Sequence, residues 1–289
     1  MPELPEVEVV KRTLERKVLN LIIKKVKIND GNLRYRVNKS DFLKLSGKRI
    51  KKIERKSKFL IFKIGKNIMM LVHLGMTGKF FFSNTRNKKF KTSFYYKLDN
   101  SKDQKYDRIV FYLEKKQKLI YNDIRKFGFI KVIDFDKYKN NSHLKHLGPE
   151  PLEEDFNFKY FKNYISGKNR NVKNVLMDQK CISGLGNIYV NEILFCCSIR
   201  PSKKVVKLTN KEIEKIIFNT KKIIKKSIKL GGSSIKNFSS SDGKKGAFQQ
   251  TFKVYGRNGE NCSNADCNTI ITKLTISNRS SFYCPRCQK

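Results

Sequence analysis

Four cysteines near the end of the chain have the spacing of a metal site. Cys262 and Cys267 are separated by four residues, Cys284 and Cys287 by two, and sixteen residues lie between the pairs. Two chelating pairs on two turns supply the four thiolates of a tetrahedral structural zinc site, with no position left open for a substrate. A module this short cannot hold itself together by apolar burial, so the metal would supply its folding free energy. Four unrelated thiols or an iron–sulfur cluster are the weaker readings. At the other end the chain opens MPELPEVEVV, and Glu3, Glu6 and Glu8 all precede the first lysine. They do so in a protein with 64 Lys+Arg against 25 Asp+Glu and a formal net charge of +39. They also stand directly behind a proline that becomes residue one if Met1 is removed. Carboxylates in that place need a reason that the composition does not give.

The basic excess points to a polyanionic partner, because each phosphate neutralised releases a condensed counterion. An anionic membrane surface is the main rival. The abundance of Lys, Asn and Ile, as in KYKNN and KIIKKSIKL, also fits an AT-rich genome. No run of about 18 apolar residues indicates a membrane span, and the acidic start is wrong for a secretory signal. Seven cysteines, an odd total without a signal, argue against a disulfide framework and for a reducing cytoplasm.

The elements that must position these groups fall into two halves. Pro5 to about Leu19 reads as an amphipathic helix, with Pro5 at N1 and Val7, Val10, Leu14 and Val18 at spacings of three and four. From Leu21 to about Asp136 come short β-rich runs: IIKKVKI, RIKKI, KFLIFKI, NIMMLVHL, KFFF, RIVFYL, KLIYN and FGFIKVI. Their density predicts a sandwich or barrel. After a polar connection closing on LGPEPL the period becomes helical, in FKYFKNYI, VKNVLMDQ, NIYVNEILFCC and KEIEKIIFNTKKIIKKSIKL. A Ser/Gly/Lys-rich loop, SSIKNFSSSDGKKGAF, precedes short strands around the cysteines. The expected class is α+β in two domains. The boundaries expected are 1–136 for a β-sandwich with its leading helix, 137–155 for a linker, 156–250 for a helical domain with a loop, and 251–289 for a zinc finger.

Separated motifs agree on one family. PELPEVE follows Met1, KFL spans Lys58 to Leu60, HLGMTG spans His73 to Gly78, and DIRKFG spans Asp123 to Gly128. LGPEPL, LMDQ, GLGNIY, SDGKKG, VYGR and the terminal FYCPRCQK follow in order. Together they resemble the bacterial formamidopyrimidine-DNA glycosylases, which remove 8-oxoguanine and ring-opened purines. The resemblance runs over essentially the whole chain. It implies a β-sandwich domain, a helix–two-turn–helix domain with a β-hairpin zinc finger, one structural Zn2+, and double-stranded DNA carrying an oxidised purine or abasic site as partner. A monomer without membrane attachment is expected, in the cytoplasm and associated with the nucleoid through DNA.

Residue by residue, the resemblance implies roles. Pro2 matches an amino-terminal proline nucleophile. An α-amine with a pKa near 7.7–8.0 is roughly a quarter unprotonated near pH 7.4, against about one part in a thousand for a lysine. A secondary amine attacking C1′ gives an iminium that serves as the electron sink for strand cleavage. Glu3 matches the general acid, Glu6 a second active-site carboxylate, and Lys58 a lysine beside the lesion that assists elimination. Glu8 carries no such role and reads as helix surface. Met76, Arg125 and Phe127 match the residues that fill the hole left by an extruded nucleotide. Without the family, Met76 and Phe127 read as core residues.

Asn187 with Tyr189 and Lys173 would clamp the DNA backbone, and Arg279 matches a zinc-hairpin arginine that grips phosphates and is associated with the second elimination. Lys236 would lie at the start of a loop that closes over the base. Departures from the pattern are CSNADC, with four residues between the first two cysteines, Tyr106 where family members often carry a histidine, and Ile124 and Lys126 in the run beside Arg125. Asn169 stands where a lysine is usual, with Lys168 and Arg170 beside it to substitute. An endonuclease VIII-type enzyme for oxidised pyrimidines would begin PEGPE rather than PELPEVE. Charge and cysteines alone would also suit a non-catalytic zinc-containing nucleic-acid-binding protein.

Overall fold

A proline inside the first turn and valines at helical spacing start the chain as α1, Leu4–Val18, whose apolar stripe of Val7, Val10, Leu14 and Val18 is fully buried. The computed structural model describes residues 1–83, 89–91, 104–138, 140–233 and 248–289. After α1 come β1, Ile23–Ile28, a short α2, Lys39–Leu43, and then β2, Ile50–Lys56, β3, Phe59–Ile64, and β4, Ile68–His73. The strands continue with β5, Lys79–Ser83, β6, Lys89–Lys91, β7, Asp107–Leu113, β8, Lys118–Asn122, and β9, Phe129–Asp134, before a one-turn α3, Phe135–Tyr138. Each of the eight runs read as strands forms one.

They pair antiparallel into two sheets, ordered β1-β7-β8-β5-β6 and β2-β3-β4-β9. Phe62, Ile64 and Val72 of one sheet share a single core with Phe80, Phe82, Ile109, Phe111 and Tyr121 of the other, and α1 joins it. The alternate residues Ile61, Met69, Leu71 and Phe129 form a second apolar layer on the outer face of the four-stranded sheet. That double burial explains why IMMLVH is apolar throughout rather than alternating.

The helical half contains α4, Phe158–Ile165, α5, Val172–Met177, α6, Asn187–Cys196, and α7, Asn210–Lys229. A capping box of Thr209 and Glu212 starts α7, and Gly231 and Gly232, both at positive φ, follow its end. A hairpin of β10, Thr272–Ile276, and β11, Arg279–Tyr283, turns through Ser277 and Asn278, both at positive φ, as a two-residue type I′ turn requires. By contact the chain divides into two units. One comprises Met1–Lys145 and the segment that starts at Gly231, and the other His146–Leu230 with Phe248–Lys289. No helix among the described residues is long and apolar enough to cross a membrane.

Candidate active site and nucleic-acid interface

In the first unit the amino terminus opens onto a cleft of about 630 Å³. Its lining includes Met1, Arg34, His73, Met76, Arg125 and Phe127. Pro2 is buried directly behind Met1. Glu3 is the N-cap of α1 and Glu6 its N3 residue, and the two form a reciprocal capping box. Both carboxylates are buried. One oxygen of Glu6 accepts the Glu3 N–H at 2.9 Å. The other accepts the backbone N–H of Ser233 at 2.7 Å and its hydroxyl at 2.9 Å. Glu6 therefore acts as a fixed acceptor that positions the residue next to Pro2. A side chain on Gly232 would press on Glu6 from 3.0 Å, and its φ of +82° also calls for glycine.

Glu8 lies on the next turn, between Arg12 at 2.8 Å and Arg55 at 2.9 Å. Burial pushes its carboxyl up, but the two guanidinium groups outweigh this and hold it below its ordinary value. Lys58 sits in the two-residue turn between β2 and β3 and is buried.

Met76 and Phe127 are 40% and 46% exposed, so the expectation of core positions drawn without the family fails for both. Large apolar side chains held out at the mouth of a cleft call for a partner. They stand on adjacent loops, Leu74–Gly78 and Asp123–Gly128. The Arg125 guanidinium stacks over the Phe127 ring at 4.5 Å. Lys126, at φ 57°, is fastened to Asp30 at 2.8 Å. A hydrogen bond from Lys126, followed by the Asn32 amide, holds the Asp30 carboxyl below its ordinary value.

His73 accepts the Gly75 N–H through Nδ1 at 3.1 Å and stacks on Phe129. Burial, with the positive charges of Lys58, Arg34 and His143 behind it, pushes its pKa down to about 4. The imidazole is thus neutral and able to accept at physiological pH. Arg34 and His73 escaped the sequence reading, although HLGMTG contained one of them. Tyr106 ends a single 3₁₀ turn, half-buried beneath the Arg108 guanidinium, and its carbonyl accepts the Asp123 N–H.

The second unit carries the remaining candidates. Arg279 is exposed at the start of β11, directly after the hairpin turn. Asn187 opens α6 behind Gly186 and is half-buried, donating to the Ser280 carbonyl at 3.0 Å. Lys173 is fully buried, contrary to the expected DNA clamp. Its ammonium donates to the Ser280 carbonyl at 2.9 Å and to Ser281 Oγ at 2.6 Å. Burial and then the nearby Arg279 charge push its pKa down to about 8.

Tyr189 is also corrected. It is fully buried, hydrogen-bonded to Ser227 Oγ at 2.6 Å and stacked on Phe248, because α6 is enclosed along its whole length from Ile188 to Phe195. Arg170 is exposed and paired with Asp178 at 2.9 Å, and Asn169 is exposed beside it. Lys236 lies outside the described residues.

Glu192, which the sequence did not single out, is buried and accepts the backbone N–H groups of Lys253, Val254 and Tyr255 at 2.8, 3.0 and 2.8 Å. One carboxylate of α6 thereby fixes the segment leading to the cysteines. Burial raises its carboxyl, and the three amides pull it back.

The four cysteines converge, with all ligand atoms within 4.8 Å of one another. Cys262 and Cys287 are 3.9 Å apart at sulfur, and Cys267 and Cys284 3.6 Å. Tetrahedral Zn–S bonds of about 2.3 Å place sulfurs about 3.8 Å apart. The set therefore fits one structural zinc. The wide CSNADC knuckle closes because the Cys267 N–H returns to the Asn264 carbonyl and Asn264 Nδ2 donates to Cys287 Sγ.

Family models match in the order of the fold. They are the formamidopyrimidine-DNA glycosylase N-terminal domain over residues 1–130, the H2TH domain of the same enzymes over 147–239, and a zinc finger found in FPG and IleRS over 259–289. The chain belongs to the formamidopyrimidine-DNA glycosylase family.

Relatives bearing that name in Ruegeria pomeroyi and Rickettsia bellii are 35% and 36% identical, each over 100% of both chains. The Lactococcus lactis Fpg in complex with abasic-site DNA is similar in structure, with a TM-score of 0.85 and 33% identity over 99% of each chain. The wild-type Lactococcus lactis enzyme with N7-benzyl-Fapy-dG DNA gives 0.86 and 34% over 100% of each. Family membership accounts for the layout of sandwich, helical half and zinc hairpin together.

Proposed function

We propose that this chain is a base-excision-repair DNA glycosylase for oxidised purines that nicks the strand as an AP lyase, with Pro2 as its nucleophile once Met1 is removed. The observation that carries this reading is the shared cleft. The amino terminus and the exposed Met76, Arg125 and Phe127 line the same cavity, so a nucleotide displaced by those side chains would arrive at the first residue. The Pro2 nitrogen attacks C1′ as Glu3 gives its proton to the sugar or departing base. The C1′–base bond breaks, the Pro2 nitrogen gives up its proton, and the C1′–O4′ bond then opens with protonation of O4′, so that the resulting iminium takes up the electrons of the subsequent eliminations. Glu6 holds the Glu3 N–H in place, and Lys58 stands in the turn beside His73 to assist elimination. Met76 and Phe127 fill the vacated stack while Arg125 hydrogen-bonds the orphaned base.

Phosphates are gripped by Arg279, Asn187, Asn169 and Arg170 of the second unit, and Tyr106 of the first unit adds a contact of its own. Lys173 and Tyr189 act from inside, as braces of that unit. Lys236, outside the described residues, is a further DNA contact in this reading. The bound zinc shapes the hairpin that bears Arg279 and takes no part in bond breaking. The net charge of +39 supports accumulation on nucleoid DNA in the cytoplasm.

The test is borohydride trapping on duplex DNA with 8-oxoguanine opposite cytosine, using protein shown by intact mass to begin at Pro2. A covalent adduct that disappears when Met1 is retained is expected. Absence of an adduct with an authentic Pro2 terminus refutes the assignment. Faster release of thymine glycol than of 8-oxoguanine would reassign the lesion class.

A further inference from the structure

The two loops that carry Met76 and the Arg125–Phe127 pair touch backbone to backbone. A Cβ on Gly75, whose φ is +60°, would lie 2.4 Å from both the Gly128 nitrogen and the Phe127 carbonyl carbon. Such contact leaves no room for either loop to shift alone. What holds the loops together is a buried polar cluster. The Thr77 hydroxyl donates to Asp123 Oδ1 and accepts the Arg125 backbone N–H at 3.0 Å. Asp123 Oδ2 accepts the Gly128 N–H at 2.8 Å and the Tyr121 hydroxyl at 3.4 Å. The Asp123 main chain is fixed as well, by Arg108 Nε on its carbonyl at 2.8 Å and by its own N–H on the Tyr106 carbonyl. Asp123 and Tyr121 are fully buried and Thr77 nearly so.

Taking a carboxylate out of water is costly unless it is fully hydrogen-bonded. Here one carboxylate reaches both ends of the 123–128 loop and the neighbouring loop through a single hydroxyl. From this geometry we infer that Asp123 and Thr77 are positioning residues that clasp the two loops into one rigid wedge, so that Met76, Arg125 and Phe127 enter the duplex as a unit. The inference rests on the proposed stack-filling role of those three side chains. Because the Thr77 hydroxyl is bonded to both the carboxylate and the Arg125 amide, its loss frees the tip of one loop from the other. The Asp123–Gly128 bond is left intact. The exposed side chains would keep their chemistry and lose their relative placement, and a displacement of about 1 Å can reduce a rate on the order of a hundredfold.

The test uses the full chain with its zinc and a processed terminus. Thr77→Val keeps the shape and removes the hydroxyl, and Thr77→Ser restores it. Three readouts are compared: single-turnover excision of 8-oxoguanine from duplex DNA, fluorescence of a 2-aminopurine beside the lesion as a measure of unstacking, and cleavage of a single-stranded oligonucleotide with an abasic site, which has no stack to open. Thr77→Val should lose at least about tenfold on the duplex and most of the fluorescence change. It should stay within about twofold on the single strand, and Thr77→Ser should stay within about twofold of wild type on all three. Asp123→Asn should reproduce the pattern and serves if Thr77→Val does not fold.

In a Met76→Ala/Phe127→Ala background, Thr77→Val should add almost nothing, because the clasp then has no wedge to hold. An equal loss on single-stranded DNA, or multiplicative losses in the combined variant, overturns the inference. If Met76→Ala/Phe127→Ala is impaired and Thr77→Val is not, the clasp is refuted and the wedge stands. If Met76→Ala/Phe127→Ala itself unstacks and excises normally, the stack-filling reading fails first and the clasp falls with it.

Discussion

Replacing Gly128 by alanine should cripple excision by a route that a second substitution largely reverses. A Cβ at this position would lie 1.9 Å from the Tyr121 hydroxyl, 2.7 Å from the His73 carbonyl and 3.0 Å from Asp123 Oδ2. Side-chain carbons are essentially never found closer than 3.0 Å to such atoms, so the loop and Tyr121 must separate by about 1.1 Å. Tyr121 is fully buried in the sandwich core and has nowhere to go, so the loop moves. Overpacking of this size costs about 1–3 kcal/mol, which lowers Tm by roughly 2–4 °C per kcal/mol in a protein of this length class. The displaced loop carries Arg125 and Phe127, so excision should fall by on the order of a hundredfold.

Tyr121→Phe deletes the oxygen that makes the worst contact, at the expense of one long hydrogen bond and up to about 1 kcal/mol. The double variant Gly128→Ala/Tyr121→Phe should therefore recover most of the excision rate. Recovery stays incomplete because the His73 carbonyl remains at 2.7 Å. The assay is single-turnover excision on 8-oxoguanine duplex with thermal melting alongside. Wild-type excision by Gly128→Ala, or no recovery in the double variant, refutes the reasoning.

Titration of Lys173 gives a second outcome with a defined sign. Its pKa is near 8 in the folded protein and near 10.5 when unfolded, so the unfolded chain binds more protons between these values and stability rises with pH across that window. Lys173→Met removes the effect, so the wild type should gain Tm relative to the variant from pH 7.5 to 9.5; a constant difference would count against the burial argument. For His73 the window lies at about pH 4 to 6.5, where the unfolded chain again binds more protons and stability falls as the solution is acidified. His73→Asn, which keeps an acceptor for the Gly75 N–H, should flatten that acid limb of the melting curve, and an unchanged limb would contradict it. Chelation should release one zinc per chain with four reactive thiols and abolish DNA binding, measured by metal analysis, thiol titration and filter binding; retention of binding by metal-free protein would show that the hairpin persists without its ion.

Much of the fold could be read from period and punctuation. The valine stripe behind Pro5 marked α1, and the period of KEIEKIIFNTKKIIKKSIKL marked α7. The strands between Ile23 and Asp134 were legible because they are dense in β-branched and aromatic residues. IMMLVH reads only as a strand, and its burial on both faces came with the structure. The zinc ligands were legible from spacing alone, since chelation is local.

What the residues hid was orientation. Tyr189 and Lys173 look like polar groups free to meet a phosphate, but α6 is enclosed along its length and α5 turns Lys173 onto β11. A buried lysine is rare enough that sequence alone argues against it. Asp123, Thr77, Arg34 and Glu192 were passed over for another reason. The contacts that define their places span the chain, 46 residues between Thr77 and Asp123 and up to 63 for Glu192, and no local pattern announces such contacts. Met76 and Phe127 show the converse. Their types suggest core, and only their placement beside turn glycines hinted at the exposure observed.

The Glu6 carboxylate joins two places 227 residues apart in the chain, the Glu3 amide beside the terminus and Ser233 at the head of the SSIKNFSSSDGKKGAF run. Interactions sharing one acceptor are thermodynamically coupled, and the coupling is reciprocal. Trimming of the first residue would thus be felt at Ser233, and a ligand that draws on Ser233 would alter the setting of the terminus by the same free energy. Maturation of the amino terminus and capture of a base would then be two entries into a single equilibrium, with Glu6 as its common term.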